Sequence, residues 1–196
     1  MSPILGTLAS QFSGKPFAVE SFESISTATV GSGGTSTISF SSIPQTYKHL
    51  QIRWLSKSNF SGSSNIINTH CRFNGDSGNN YSWHYLNGDA GTLTAGGIAD
   101  TYSIFLSYLP ASGYTNMFGI GVCDILDYTN SNTYKTVRTF GGCDVNNTGG
   151  EKGIVSLATG NWRSFSAISS ITIGNASDLT NGFTQYTEFA LYGIKG

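Results

Sequence analysis

Charge is what this 196-residue sequence has least of: Asp, Glu, Lys and Arg together make up 11%, against about 25% in ordinary soluble domains. Ten basic and eleven acidic residues leave a formal net charge of −1, and the basic ones are spread along the chain. Without a basic patch, nucleic acid is a poor partner. No apolar run approaches the roughly 20 residues needed to span a bilayer as a helix, so membrane insertion is not expected. The opening MSPILGTLAS has no Lys or Arg ahead of its short apolar stretch, which is not the pattern of a signal peptide. Cysteine is scarce too. Cys71, Cys123 and Cys143 are odd in number and widely spaced, so they form no disulfide framework and read as small buried hydrophobes in strands.

In place of charge stand 25 Gly, 28 Ser and 21 Thr. Disordered chains share a low hydrophobicity but carry few aromatics. Here Phe, Tyr and Trp make up 13%, enough for a core. The composition is that of a folded domain with a polar, weakly ionic surface.

Residues 1–18 keep neither a helical nor a strand period. Ile4, Leu5, Leu8, Phe12 and Phe17 are scattered among Gly, Ser and Pro. They are expected to form an N-terminal docking arm, with fraying or packing on its own domain as the alternative. Residues 19–196 are expected to form one domain. From Val19 onward period-two alternation recurs between turn residues. Leu50, Ile52 and Trp54 face one side while His49, Gln51 and Arg53 face the other. Further short strands are predicted around Cys71 and Phe73, over Tyr81–Tyr85, Tyr102–Tyr108, Phe118–Cys123 and Tyr134–Phe140, and in three later runs. Gly-rich sequence up to about Gly97 predicts a loop. About ten strands without an amphipathic helix predict an all-β fold, an antiparallel β-sandwich of jelly-roll type.

Each chemical motif meets a simpler explanation. Gly75-Asp76-Ser77-Gly78 spells the nucleophile motif of chymotrypsin-like proteases, but His70 lies only seven residues before Ser77. A triad draws its His and Asp from distant segments, so a turn is expected instead. His49, His70, His84 and the cysteines lack any paired spacing for a metal, and no metal or cofactor is expected. Asp124 with Asp127, or Asp144 with Glu151, offers carboxylates for a glycan hydrolase. Asp124 and Asp127 are expected instead to bond backbone groups near a turn, and no catalytic residue is assigned. Tyr81, Trp83 and Tyr85, beside Asn79, Asn80, Asn87 and Asp89, make a candidate sugar platform, with Trp83, Tyr85 and Asn87 as its glycan contacts. Core packing accounts for the same alternation and is preferred.

Several segments, in order, resemble a domain frequent in bacteriophage structural proteins. They are Ser21-Phe22-Glu23-Ser24-Ile25, residues 46–53, Arg72-Phe73-Asn74-Gly75-Asp76, residues 124–128, Tyr134-Lys135-Thr136-Val137-Arg138, and the ending from Phe189 to Gly196. The resemblance covers roughly residues 19–196. It implies a virion structural role, as in tail-fibre ends or surface decoration modules of tailed phages, including those of cyanobacteria, and no catalytic residues. The expected protein is a capsid decoration or cement protein on the particle exterior, made in the host cytoplasm. The alternatives are a tail-fibre module touching host glycans and, more remotely, a polysaccharide depolymerase. Partners would be other virion proteins, the major capsid protein or tail proteins. Symmetric positions on a particle imply a homo-oligomer, dimer or trimer.

Overall fold

The computed structural model describes residues 21–89, 91–146, 153–176 and 178–196. The described residues contain twelve strands and no helix. They are β1 (Phe22–Thr29), β2 (Ile38–Phe40), β3 (His49–Ser56), β4 (Ile66–Phe73), β5 (Tyr81–Asp89) and β6 (Thr92–Thr101). Then follow β7 (Ile104–Pro110), β8 (Gly119–Leu126), β9 (Lys135–Asp144), β10 (Gly153–Trp162), β11 (Ile171–Asn175) and β12 (Glu188–Ile194). Eight build one antiparallel sheet in the order β1-β12-β3-β8-β9-β10-β5-β6, and four build a second in the order β2-β11-β4-β7. The fold is an all-β sandwich, with twelve strands where the sequence suggested about ten.

The extra count comes partly from β6. The glycine-rich stretch predicted as a loop is a ten-residue strand, paired with β5 from Tyr81↔Thr101 to Asp89↔Thr92. Its glycines serve close packing. A Cβ on Gly96 would meet the Tyr85 hydroxyl, and one on Gly97 the His84 ring. As the outermost strand it is exposed along almost its whole length, so it carries no hydrophobic alternation to betray it.

The core lies between the sheets. Leu50, Ile52 and Trp54 of β3 alternate inward as predicted and are buried, together with Phe189 and Leu191 of β12 and Ile171 and Ile173 of β11. Trp54 stacks on Phe189 at 6.0 Å between ring centroids, and Phe183 meets Phe189 edge-on at 5.2 Å. Fully burying each such side chain contributes roughly 1.5–3 kcal/mol. Cys71 and Cys123 belong to this core and Cys143 to a smaller cluster with Ile66, Val145 and Ile154. All three cysteines are buried, and burial pushes the thiols of Cys71 and Cys123 upward in pKa. They are packing residues, as their spacing suggested.

In β8 and β9 the small residues face the core. Gly119, Gly141 and Cys123 are buried, while Ile120 and Phe140 are 61% and 55% exposed. The physical reason is lack of room. A Cβ on Gly121 would lie 2.1 Å from the Trp54 ring, and one on Gly141 would lie 2.7 Å from the Ser107 hydroxyl. With the inner side closed at Gly119, Gly121 and Gly141, the large residues beside them, Ile120 and Phe140, point to solvent, while Ile125 and Val137 farther along the same strands pack inward.

Candidate functional site: the solvent face of the larger sheet

Cross-strand register lines these outward residues into two adjacent rows. One runs Leu55↔Ile120↔Gly142↔Val155↔Gly88↔Leu93, and the other Arg53↔Val122↔Phe140↔Leu157↔Leu86↔Ala95. Leu55, Ile120, Val155 and Leu93 in the first row, with Phe140, Leu157 and Leu86 in the second, are all largely exposed. Scattered exposed apolar residues are ordinary, but a contiguous band of this length marks an interaction surface. Around Gly142 the band sinks into a groove of about 840 Å³ lined by Ile120, Val122, Phe140, Gly88 and Val155.

A polar row borders the band: Gln51↔Asp124↔Arg138↔Thr159↔His84. Arg138 donates to Asp124 at 2.7 Å and Gln51 Nε2 does so at 2.8 Å. Burial opposes ionisation of Asp124, but these two donors outweigh it and hold the carboxyl below the usual carboxylate range. Asp127, past the end of β8, pairs with Lys48 at 2.6 Å, which likewise lowers its pKa. The backbone partners expected for these two carboxylates are therefore replaced by side chains. Both are charged and held by cations, a poor state for a general acid. Asp144 is exposed at the other border of the band, and its suggested partner Glu151 lies outside the described residues.

The protease-like motif is a turn. Asn74 and Gly75 have φ of 52° and 70°, and the Asp76 N–H donates to Phe73 O at 2.9 Å, the geometry that Asn-Gly favours after a strand. Asp76 then accepts from the Gly78 N–H at 2.9 Å, from the Asn80 amide, and from Trp162 Nε1 at 2.7 Å. Tyr81 closes the turn from below: its hydroxyl accepts from the Phe73 N–H and donates to Asp76 O. Asp76→Ala is expected to destabilise the domain by about 2 kcal/mol, because it leaves the buried indole N–H of Trp162 unpaired. Equilibrium urea unfolding measures this, and a loss below about 0.5 kcal/mol would show that water replaces the carboxylate.

His70 is remote from this turn's chemistry. It is buried against Phe105 and Trp83, with centroids 5.7 and 6.0 Å away, and its Nδ1 lies 3.1 Å from the Ser103 hydroxyl. The candidate glycan contacts belong to the same aromatic cluster. Trp83 and Tyr85 are half-buried and pack on Phe105 at 5.4 and 6.0 Å. Asn87 is buried, accepts from Ser156 at 2.8 Å and donates to the Tyr108 hydroxyl at 3.3 Å. These three side chains pack against protein, Asn87 fully and Trp83 and Tyr85 in part. The docking residues Ile4, Leu5, Leu8, Phe12 and Phe17 lie outside the described residues.

Among the described residues no group of three or more His, Cys, Asp or Glu side chains is placed to hold a metal ion, and no helix is long and apolar enough to cross a membrane. Sequence reasoning missed the apolar band. Its members alternate with glycines and small residues, a pattern visible in the sequence, but alternation does not say which face is inward. It missed Asn175 as well, a buried hub that accepts from Thr69 at 2.9 Å and donates to Ser58 and Gly182 O.

No family model matches the chain, and no curated protein matches its sequence. Among solved structures, the exoplasmic/lumenal domain of VIP36 in its Ca2+/Man-bound form aligns over 72% of this chain and 76% of that one. Identity is 10% and the TM-score 0.21, too low to carry an argument about fold or function.

Proposed function

We propose that this chain is a non-enzymatic structural protein on the exterior of a tailed phage particle, a head decoration or cement protein that acts through protein–protein contacts. The observation that carries the proposal is the apolar band. A surface with so little charge that still leaves Ile120, Phe140, Val155 and Leu157 about half exposed or more is suited to burial in an assembly. The ordered resemblance to phage structural domains supplies the setting. The carboxylates of the suggested hydrolase pair that lie among the described residues are bound up in ion pairs or stand at the border of this band, which fits a scaffold better than a reaction centre.

The test has two parts. Quantitative mass spectrometry of the parent particle is expected to find hundreds of copies of the chain. A few to a few tens would move it to the tail, and absence would overturn the proposal. The double substitution Phe140→Asp and Leu157→Asp is expected to leave the circular dichroism of the purified chain unchanged, since both positions are exposed, while removing the chain from particles. Incorporation at the wild-type level would show that the band is not the assembly surface.

A further inference from the structure

We infer that the apolar band is occupied by a second copy of this chain, stacked face to face about a two-fold axis that runs across the strands at Gly141. This deepens the proposal above and rests on the band being an assembly surface; it names the partner. Three features of the face point to the same operator.

The first is shape. A two-fold axis lying between two stacked sheets and perpendicular to the strands sends each strand onto its own copy, reversed about the axis. Residues at equal distance on either side of Gly141 along β9 therefore meet. Phe140 of one copy lies over Gly142 of the other and enters the groove that Gly142 lines, a position that stays without a side chain because a Cβ there would run into Ile154 O of β10. The register carries the same relation to the flanking strands. Ile120 meets Val122 around Gly121, Val155 meets Leu157 around Ser156, Leu86 meets Gly88 around Asn87, and Leu93 meets Ala95. On β3 Leu55 meets Arg53 around Trp54, and three of the six contacts, Phe140, Leu86 and Leu93, set a large side chain over a residue no bigger than alanine. Each becomes two by symmetry, as an isologous interface requires.

The second is charge. The same axis places Asp144, three residues beyond Gly141, over Arg138 of the second copy, three residues before it. Asp144 is exposed, and the Arg138 side chain is 70% exposed with only one guanidinium nitrogen engaged by Asp124. A two-fold axis parallel to the strands would instead leave Asp144 and Arg138 each on its own border of the band, acid not meeting base. Complementary borders fix orientation more than they add affinity.

The third is area. From β3 to β6 the face crosses five interstrand spacings, about 24 Å, and from Arg138 to Asp144 about 20 Å along the strand. With side-chain margins this is on the order of 600 Å² per copy, or about 1,200 Å² in all, which reaches the lower end of stable interfaces. Two sheets stacked this way sit about 10 Å apart, the spacing of an ordinary sandwich.

Sedimentation equilibrium of the purified full chain at micromolar concentration tests this directly. The expected mass is twice the 20.8 kDa of one chain. Phe140→Asp is expected to weaken dimerisation on the order of a hundredfold. Asp144→Arg and Arg138→Glu, each alone, are expected to weaken it about tenfold, and mixing those two variants is expected to restore a dimer containing one of each. In that mixed pair both border contacts again join opposite charges. A monomer at every concentration, a dimer indifferent to Phe140→Asp, or a mixture that fails to re-pair would each overturn the inference. The outcome is separable from that of the proposed function: a monomer still found in particles in hundreds of copies sinks only the dimer, and a dimer absent from particles sinks only the virion role.

Discussion

Between pH 6.5 and pH 3 the domain is expected to lose on the order of 5 kcal/mol of stability through one side chain, His70. Burial holds the His70 pKa at about 3, against 6.5 for an ordinary histidine, with the Arg72 charge as a smaller contribution in the same direction. Within that window the unfolded chain binds a proton that the folded chain refuses. Stability from this group is therefore complete above about pH 6.5 and drains away as pH falls toward 3, at about 1.4 kcal/mol for each pH unit. The total stability of a domain is only about 5–15 kcal/mol, so this single imidazole is able to set the acid limit of the fold. The physical cause is its surroundings: two aromatic rings and one hydroxyl, with the Asp178 charge opposing the shift only weakly and no carboxylate among the described residues hydrogen-bonded to it.

Urea unfolding from pH 7 down to pH 4, on the wild type and on His70→Gln, measures this. The variant is expected to start less stable, having lost its ring contacts, but to show a clearly flatter pH dependence. Carboxylates with lowered pKa, including Asp124 and Asp127, add an acid slope of their own that both proteins share. The difference between the two slopes thus isolates His70. Parallel slopes would assign acid sensitivity to the carboxylates instead.

Gly121→Ala is expected to destabilise the fold by about 3 kcal/mol, a large effect for one methyl group. The added carbon would stand 2.1 Å from Cζ2 of Trp54, and that ring has little freedom to retreat because it is buried and stacked on Phe189. Relief requires a shift of β8 against β3 or an unfavourable rotamer at Trp54. By contrast Ile120→Thr, one residue earlier on the exposed side, is expected to change the stability of the monomer by no more than about 0.5 kcal/mol. Both are to be measured at concentrations dilute enough to keep the chain monomeric. Trp54→Leu should remove most of the penalty, so a double-mutant cycle reads the clash directly. A cost for Gly121→Ala that persists without the indole would place the strain in the backbone.

These expectations separate what local sequence carries from what it does not. The alternation of Leu50, Ile52 and Trp54 against Gln51 and Arg53 was legible because one set is apolar and the other polar, so the burial direction follows from solvation alone. The Asn-Gly turn was legible for a local reason as well: few other pairs accept positive φ at two consecutive positions. Asp76 in a turn and three buried cysteines followed from the same kind of argument. In β8 and β9 this logic has no purchase, since Ile120, Val122 and Phe140 alternate with glycine rather than with charge. Which set turns inward depends on whether Trp54 and Ser107, far away in sequence, leave room for a Cβ.

By itself the sequence determined an all-β, charge-poor domain of short antiparallel strands, since periodicity, turn residues and composition act locally. It also supplied, for the Gly-Asp-Ser-Gly motif and the scattered histidines and cysteines, a simpler reading as a turn and as packing residues. The tertiary structure alone decided that β6 is a strand, because an exposed edge strand shows no burial pattern and is recognised only by its pairing with β5. It alone brought His70 into an aromatic enclosure and aligned side chains from six strands into one apolar band. Register between strands distant in the chain is a property of long-range packing, and the surface proposed to carry this protein's function exists only where that packing has closed the other side.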